Sequence, residues 1–368
     1  MKIGFDGKRI YQNQTGLGNY CRTLFLNLNE YFPENEYQIF AHKQFSKNSI
    51  FNRHQFLSKT FLKEGGNDKS WRTKGIVKDL IAQNVSIYHG LSHEIPFGLP
   101  KTIKSIVTIH DLIFLKKSKY YNFFDRYIYK AKIKKACNKS DAIIAISEQT
   151  KNDLIEQLNV PADKISVIYQ TYGKEYETLF TYETKEIWRK KMHLPEQYLL
   201  FVGNGNKRKR LDLVLEALNQ PELKDIPLVI VGNKKLEKAR KYIDKHKMNR
   251  RVFFLDNIKS YDLPVVYAMA KGLIYPSEYE GFGLPILEAQ KIGIPVITNK
   301  NSAIVEVAGD GCFFFNHFTK EDIADSIKAM FSNDEDLNIR GEKNTLFIKK
   351  FEPLHATKQI LDIYKSVL

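Results

Sequence analysis

Short apolar runs alternate with helical stretches along nearly the whole chain, and this alternation limits the fold more than any other feature. Strands that read as continuous Val, Ile, Leu and Phe are buried on both faces, which requires helices above and below a parallel sheet. Runs at 2–5, 37–40, 86–88, 103–109, 142–146 and 165–168 read as strands of one sheet, with helices between several of them, at 19–29, 123–138 and 148–158. A second series follows Pro195, with strands expected at 198–202, 228–231, 252–255, 272–275, 295–298 and 312–315. Its helices are expected at 211–218, 236–247, 284–291, 320–331 and 336–349. At 368 residues the chain is long enough for two domains. The expected organisation is α/β: a Rossmann-like doubly wound domain over 1–172, a linker over 173–194 and a second such domain over 195–352. A final amphipathic helix over 353–368 is expected to pack back on the first domain. Two such sheets facing across a cleft would set ligands at the carboxyl ends of their strands. Part of the polar, basic segment 44–79, which holds Gly65-Gly66, reads as a mobile loop.

Several classes are set aside by the same residues. No apolar run approaches the ~18 residues of a membrane-spanning helix. Lys2, Asp6, Lys8 and Arg9 stand where a signal peptide needs an apolar stretch, so a cytoplasmic chain is expected. Cys21, Cys137 and Cys312 are widely spaced and include no CxxC, which argues against a disulfide framework or a thiolate metal site. His89 and His93 sit four apart, but Gly90 and Pro96 break any helix that would turn them to one face; no metal is expected. The net charge of +15 attracts polyanions: nucleic acid, anionic lipid or phosphate-rich small molecules.

The most informative stretch is Tyr275-Pro-Ser-Glu-Tyr-Glu280-Gly-Phe-Gly-Leu284-Pro-Ile-Leu-Glu288-Ala. A buried strand ends, a glycine-bearing turn follows, and a helix opens at Leu284-Pro285, with proline in the first turn that tolerates it. Amides of Phe282, Gly283 and Leu284 would then face outward at a helix N-terminus, an arrangement that binds phosphate oxygens. Glu280 and Glu288 bracket the turn, and eight helical positions span at most about 12 Å, so the two carboxylates could serve opposite ends of one ligand.

In this context Glu280-x7-Glu288 resembles the signature of the retaining glycosyltransferases of family 4 (glycosyl transferases group 1), among them bacterial polysaccharide mannosyltransferases. The resemblance implies the GT-B fold of two facing Rossmann-like domains. It also implies Glu280 beside the donor sugar, Gly281, Phe282, Gly283 and Leu284 at the diphosphate, and Glu288 at the ribose hydroxyls. Phe201-Val202-Gly203-Asn204, followed by Lys207-Arg208-Lys209-Arg210, matches the family's strand and basic loop, in which Lys209 would neutralise the diphosphate. Many relatives carry Arg where this chain has Asn204, so Arg208 or Arg210 would supply the second cation. Gly16 and Gly18 resemble the family's N-terminal glycine loop near the donor phosphate, and His110 the histidine near the reacting sugar. Ser147-Glu148 matches the family's helix opening, for which an N-cap at Ser147 is sufficient explanation.

The implied activity is transfer of a hexose, with mannose the first expectation, from a GDP- or UDP-sugar to a saccharide or lipid-linked acceptor in surface-polysaccharide synthesis. Configuration would be retained, and neither cofactor nor metal is expected. Alternatives are a GT-B-like nucleotide-sugar epimerase or hydrolase, or a basic nucleic-acid-binding protein; no helix-turn-helix, RNP or finger pattern supports the last. Between residues 116 and 135 lysines interleave with Tyr120, Tyr121, Phe123, Phe124, Tyr127 and Tyr129, against a single acid, Asp125. A basic aromatic helix of this kind suits peripheral attachment to an anionic membrane.

Overall fold

The computed structural model describes residues 1–42, 56, 59–63, 70–232, 236–256, 258–332 and 334–368. They form two compact units, Met1–Thr171 with Phe351–Leu368, and Tyr172–Lys350. The segment 173–194, expected as a linker, folds with the second unit and holds the helix Tyr182–Met192, capped by Thr181. The loop expected within 44–79 lies partly outside the described residues; the described part contains a strand and the helix Ile76–Ala82.

The first unit carries a parallel sheet of strands β1 (Lys2–Asp6), β2 (Glu36–His42), β3 (Thr60–Lys63), β4 (Ile87–Gly90), β5 (Lys104–Ile109), β6 (Ala142–Ala145) and β7 (Ile165–Val167). Their order is β3-β2-β1-β4-β5-β6-β7. The apolar runs give the reason: Ile106, Val107, Ile109, Ile143 and Ile144 are fully buried, with helices covering both faces. The edge strand β3 is an addition to the expected set. The final helix, Pro353–Val367, buries Ile360, Leu361 and Tyr364 in the same cluster as Ile3, Phe25 and Leu28.

The second unit repeats the plan with β8 (Leu199–Val202), β9 (Leu228–Val231), β10 (Val252–Leu255), β11 (Gly272–Ile274), β12 (Val296–Thr298) and β13 (Phe313–Phe314), in the order β10-β9-β8-β11-β12-β13. All pairings in both sheets are parallel. In each unit the order reverses beside the first strand, between β1 and β4 and between β8 and β11. Loops leaving the carboxyl ends of such a pair diverge, and open parallel sheets take ligands there.

Candidate functional site

In the second unit, the loops that leave this reversal point are Gly203–Arg210, after β8, and Tyr275–Gly283, after β11. Backbone and side-chain bonds tie them together: Glu278 N–H donates to the Arg208 carbonyl at 2.8 Å, and Arg208 Nη1 donates to the Tyr279 carbonyl at 2.8 Å. From the end of β12, Thr298 donates to the Tyr275 carbonyl at 2.9 Å and Asn299 to the Ser277 carbonyl at 2.9 Å. Ser302 accepts from the Glu280 amide at 3.0 Å. A loop pinned on several sides holds its side chains in place without a ligand.

Four groups converge on one oxygen of Glu280. Arg208 Nη1 and Lys209 Nζ each lie 2.5 Å from Oε1, Ser277 donates to it at 2.7 Å and Tyr275 at 2.9 Å. Burial opposes ionisation of Glu280, but the two cations outweigh it and hold the carboxyl at about 2. Burial likewise lowers Lys209, to about 8, with Glu280 opposing the shift. Lys209 also donates to the Tyr275 hydroxyl and lies 4.2 Å from the centre of its ring. Two cations share one carboxylate in a buried setting, where an anion gains more from them than it would in water. Arg208, rather than Arg210, reaches this cluster; Arg210 pairs with Glu278 at 3.0 Å and Asp212 at 3.2 Å.

The helix Leu284–Ile292 opens from the same loop. Gly283, at φ +124°, adopts a backbone conformation that a side chain would strain. The amides of Gly283 and Leu284 donate to no acceptor among the described residues, and Pro285 has no N–H to offer. Ile286 makes the first bond of the turn, to the Gly283 carbonyl at 2.9 Å. Asn204, in the loop after β8, contributes a buried side-chain oxygen without a hydrogen-bond partner among the described residues. The set as a whole offers cations, unused amides and an acceptor, which suits an anion bearing hydroxyl or N–H donors.

Glu288 lies on the helix Leu284–Ile292. It is buried, Tyr267 donates to its Oε2 at 2.8 Å, and Tyr176 bonds the same carboxyl. Burial pushes it up to about 8, against the pull of the two tyrosines. The carboxyl expected to take ribose hydroxyls thus accepts from phenol hydroxyls of the same unit. Neither tyrosine was legible as a partner in the sequence, since both lie outside the motif, Tyr176 in Lys174–Glu177 and Tyr267 on the helix Leu263–Met269.

In the first unit, His110 follows β5 and is buried. Its Nε2 donates to the Leu91 carbonyl at 2.8 Å, which leaves Nδ1 as acceptor for Gln170 Nε2 at 3.2 Å. Burial first, then the neighbouring His93, lower it to about 3, so the ring is neutral. Both nitrogens are spent within the unit, and the expected bond to a sugar hydroxyl has no free atom here. His89 is likewise satisfied, by Tyr364 at 2.7 Å and Thr108 at 2.8 Å. The glycine loop is held by local contacts. A Cβ on Gly18 would stand 1.9 Å from the Asn13 carbonyl oxygen, and Asn13 Oδ1 accepts from the amides of Thr15 at 2.8 Å and Gly18 at 3.1 Å. The turn requires glycine at Gly18; Gly16 is exposed at the first position of the helix Gly16–Tyr31.

Comparison with known proteins agrees with this architecture. Residues 184–346 match the family model described as Glycosyl transferases group 1, and residues 24–171 the one described as Glycosyltransferase Family 4. Between them the matches span most of both units: the chain belongs to these glycosyltransferases. It is 26% identical over 285 residues to the O-antigen chain mannosyltransferase B of Escherichia coli, covering 76% of this chain and 74% of that protein. It is 28% identical over 255 residues to the serotype-specific mannosyltransferase WbdA of Escherichia coli, covering 65% of this chain but only 31% of that protein. In structure, the Anabaena protein HepE in complex with UDP and glucose superposes with a TM-score of 0.79 at 15% identity, covering all of both chains. The two Rossmann-like units are those of the GT-B fold.

Proposed function

We propose that this glycosyltransferase moves a mannosyl group, with retention of configuration and without a metal, from a nucleoside-diphosphate sugar to a saccharide or lipid-linked acceptor in bacterial surface-polysaccharide synthesis. The observation that carries the reading is the Arg208–Lys209–Glu280 cluster beside the unused amides of Gly283 and Leu284. A diphosphate arriving there would compete with Glu280 for the two cations. Charge that grows on the departing phosphate would be met by groups already in position, which is commonly the largest catalytic contribution. Released from part of its pairing, the Glu280 carboxylate would steady positive character at the anomeric carbon. The leaving phosphate can take the acceptor's proton, so no protein base is needed. Asn204 would accept from a donor N–H or O–H, and Gly203 lets the ligand pass close. The mannosyl identity is supported by the relatives' names, and the nucleotide by the UDP held in the HepE structure. The peripheral membrane attachment expected of residues 116–135 fits an acceptor presented at the cytoplasmic face of a membrane.

Binding to the folded state raises its stability, so a thermal-shift panel of GDP, UDP, dTDP and their sugars tests the donor directly. GDP or UDP and the matching mannosyl donor are expected to give the largest shifts, and a product formed with EDTA present is expected to be the α-mannoside. Shifts with none of the nucleotides would remove the reading.

A further inference from the structure

The loops that leave the first unit's reversal point, after β1 and after β4, carry an arginine and a histidine with bonding capacity in reserve. Arg9 follows β1 on the short helix Lys8–Gln12, and its Nε donates to the Ser92 hydroxyl, beyond β4, at 3.3 Å. It is half-buried and has no acidic partner among the described residues. Arg72, by contrast, is spent at the same sheet edge: its Nε donates to Asp6 at 2.9 Å, and its Nη2 lies 3.6 Å from Glu94. The loop after β4 is tightly built. A Cβ on Gly90 would stand 2.0 Å from the Glu94 carbonyl oxygen, and the His93 amide donates to the Thr108 carbonyl at 2.9 Å. His93 is held at φ +63°, a left-handed conformation uncommon for a residue with a side chain. Its Nδ1 is buried without a hydrogen-bond partner among the described residues, and its ring lies 5.4 Å from that of His110. Burial first, then the charge of Arg9, lower His93 to about 4, so the ring is neutral.

We propose that Arg9, the Ser92 hydroxyl and His93 form an anion subsite for the acceptor: a phosphate or carboxylate of the acceptor, apart from the hydroxyl that is glycosylated, docks on the Arg9 guanidinium. The donors match an oxyanion. An arginine whose Nε is engaged on a hydroxyl keeps its outer N–H groups for the parallel bonds by which it grips phosphate and carboxylate. Ser92, accepting from Arg9, has its own O–H left to donate, and a neutral imidazole with its proton on Nδ1 supplies a third donor. A buried polar atom left unbonded is costly, so a ligand that meets Nδ1 recovers stability that the free chain lacks. The place fits as well, since an open parallel sheet takes ligands at the carboxyl ends of the strands beside its reversal point. The proposal rests on the transfer reading and gives its acceptor a charge; donor binding, in the second unit, does not depend on it.

The test is calorimetric titration of methyl phosphate, glucuronate and uncharged methyl glucoside into the full chain and into Arg9→Gln, with nitrogen–proton spectra of the histidine rings followed in parallel. Only binding that depends on Arg9 counts, which separates this subsite from the cations of the second unit. Wild type is expected to bind at least one of the two anions, and Arg9→Gln to bind it at least ~10-fold more weakly, while methyl glucoside treats the two proteins alike. The ring signals that vanish in His93→Asn, a residue that accepts the left-handed backbone, are expected to shift on anion binding in wild type and to stay in place in Arg9→Gln. Binding of methyl phosphate alone would support a phosphate-linked acceptor, and of glucuronate alone an acidic saccharide. An unchanged melting temperature and nucleotide affinity in Arg9→Gln show that the variant is folded with its donor site intact. Absence of Arg9-dependent binding of either anion, or binding that leaves the His93 signals in place, would overturn the subsite and leave the donor site untouched. A wild type that takes up an anion through Arg9 but binds no nucleotide would instead remove the transfer reading, and the acceptor assignment with it.

Discussion

The two units have the same strand order around their reversal points, yet they fill those points with opposite chemistry. At the ends of β4 and β5 the first unit places histidines that burial keeps neutral: His89 and His110 spend both nitrogens on neighbours from the same unit. At the ends of β8 and β11 the second unit places two cations on one carboxylate and leaves two helix amides unused. One arrangement is closed on itself and stabilises; the other gathers two cations on one carboxylate and keeps amide donors in reserve. A shared fold therefore positions a site without deciding its content.

The strongest way to break this contrast is to remove two members from the second unit's cluster and one from the first unit's. Lys209→Ala and Glu280→Ala are each expected to lower transfer at least ~100-fold, as for the loss of one preorganised transition-state contact. His110→Ala is expected to leave transfer within about tenfold but to cost roughly 1–3 kcal/mol of stability, because it strands the Leu91 carbonyl and Gln170 in the interior. Rates and thermal melts on the same three variants check it; a His110→Ala protein that melts normally but is inactive would invert the comparison.

Legibility followed the same division. The turn from Tyr275 to Glu288 could be read because its glycines, proline and spacing are local: the strand end, the strained Gly283 and the helix start follow from consecutive residues. The parallel sheets were legible from their apolar runs for a related reason, since a strand buried on both faces has little choice of residue. What could not be read depends on distant segments. Gln170 and Leu91 decide what His110 does, Tyr176 and Tyr267 decide what Glu288 does, and no local pattern announces either pairing. The strand Thr60–Lys63 was missed because it is a short edge strand in a basic polar segment, and only one of its faces needs to be apolar.

A smaller effect sharpens the picture of the cation cluster. With Lys209 lowered to about 8 by burial, its charge is lost as pH rises through that value, and kcat/KM should fall with it, since that parameter reports groups of the free enzyme. Lys209→Arg, which stays protonated, is expected to lower the rate but to remove that alkaline limb. A limb unchanged in the variant would assign it to another group.

The smallest effect concerns Glu288. Its carboxyl is raised to about 8 in the folded chain, so at pH 6 the folded state holds a proton that the unfolded state has released. Stability from this group is complete below the ordinary carboxylate range, near 4.5, and is lost as pH rises toward 8. Glu288→Gln is expected to melt at a higher temperature than wild type at pH 8 and to show a flatter dependence between pH 5 and 8. Parallel curves for the two proteins would mean that Glu288 is ionised in the fold.

The most direct measurement is calorimetric titration of GDP and UDP into wild type and Lys209→Ala, with melting curves to establish that the variant is folded. If a diphosphate lodges among Arg208, Lys209 and the amides of Gly283 and Leu284, wild type binds at least one of the two nucleotides. The folded variant should then bind that nucleotide at least ~10-fold more weakly, a loss of about 1.4 kcal/mol. Equal affinity in the two proteins would contradict it.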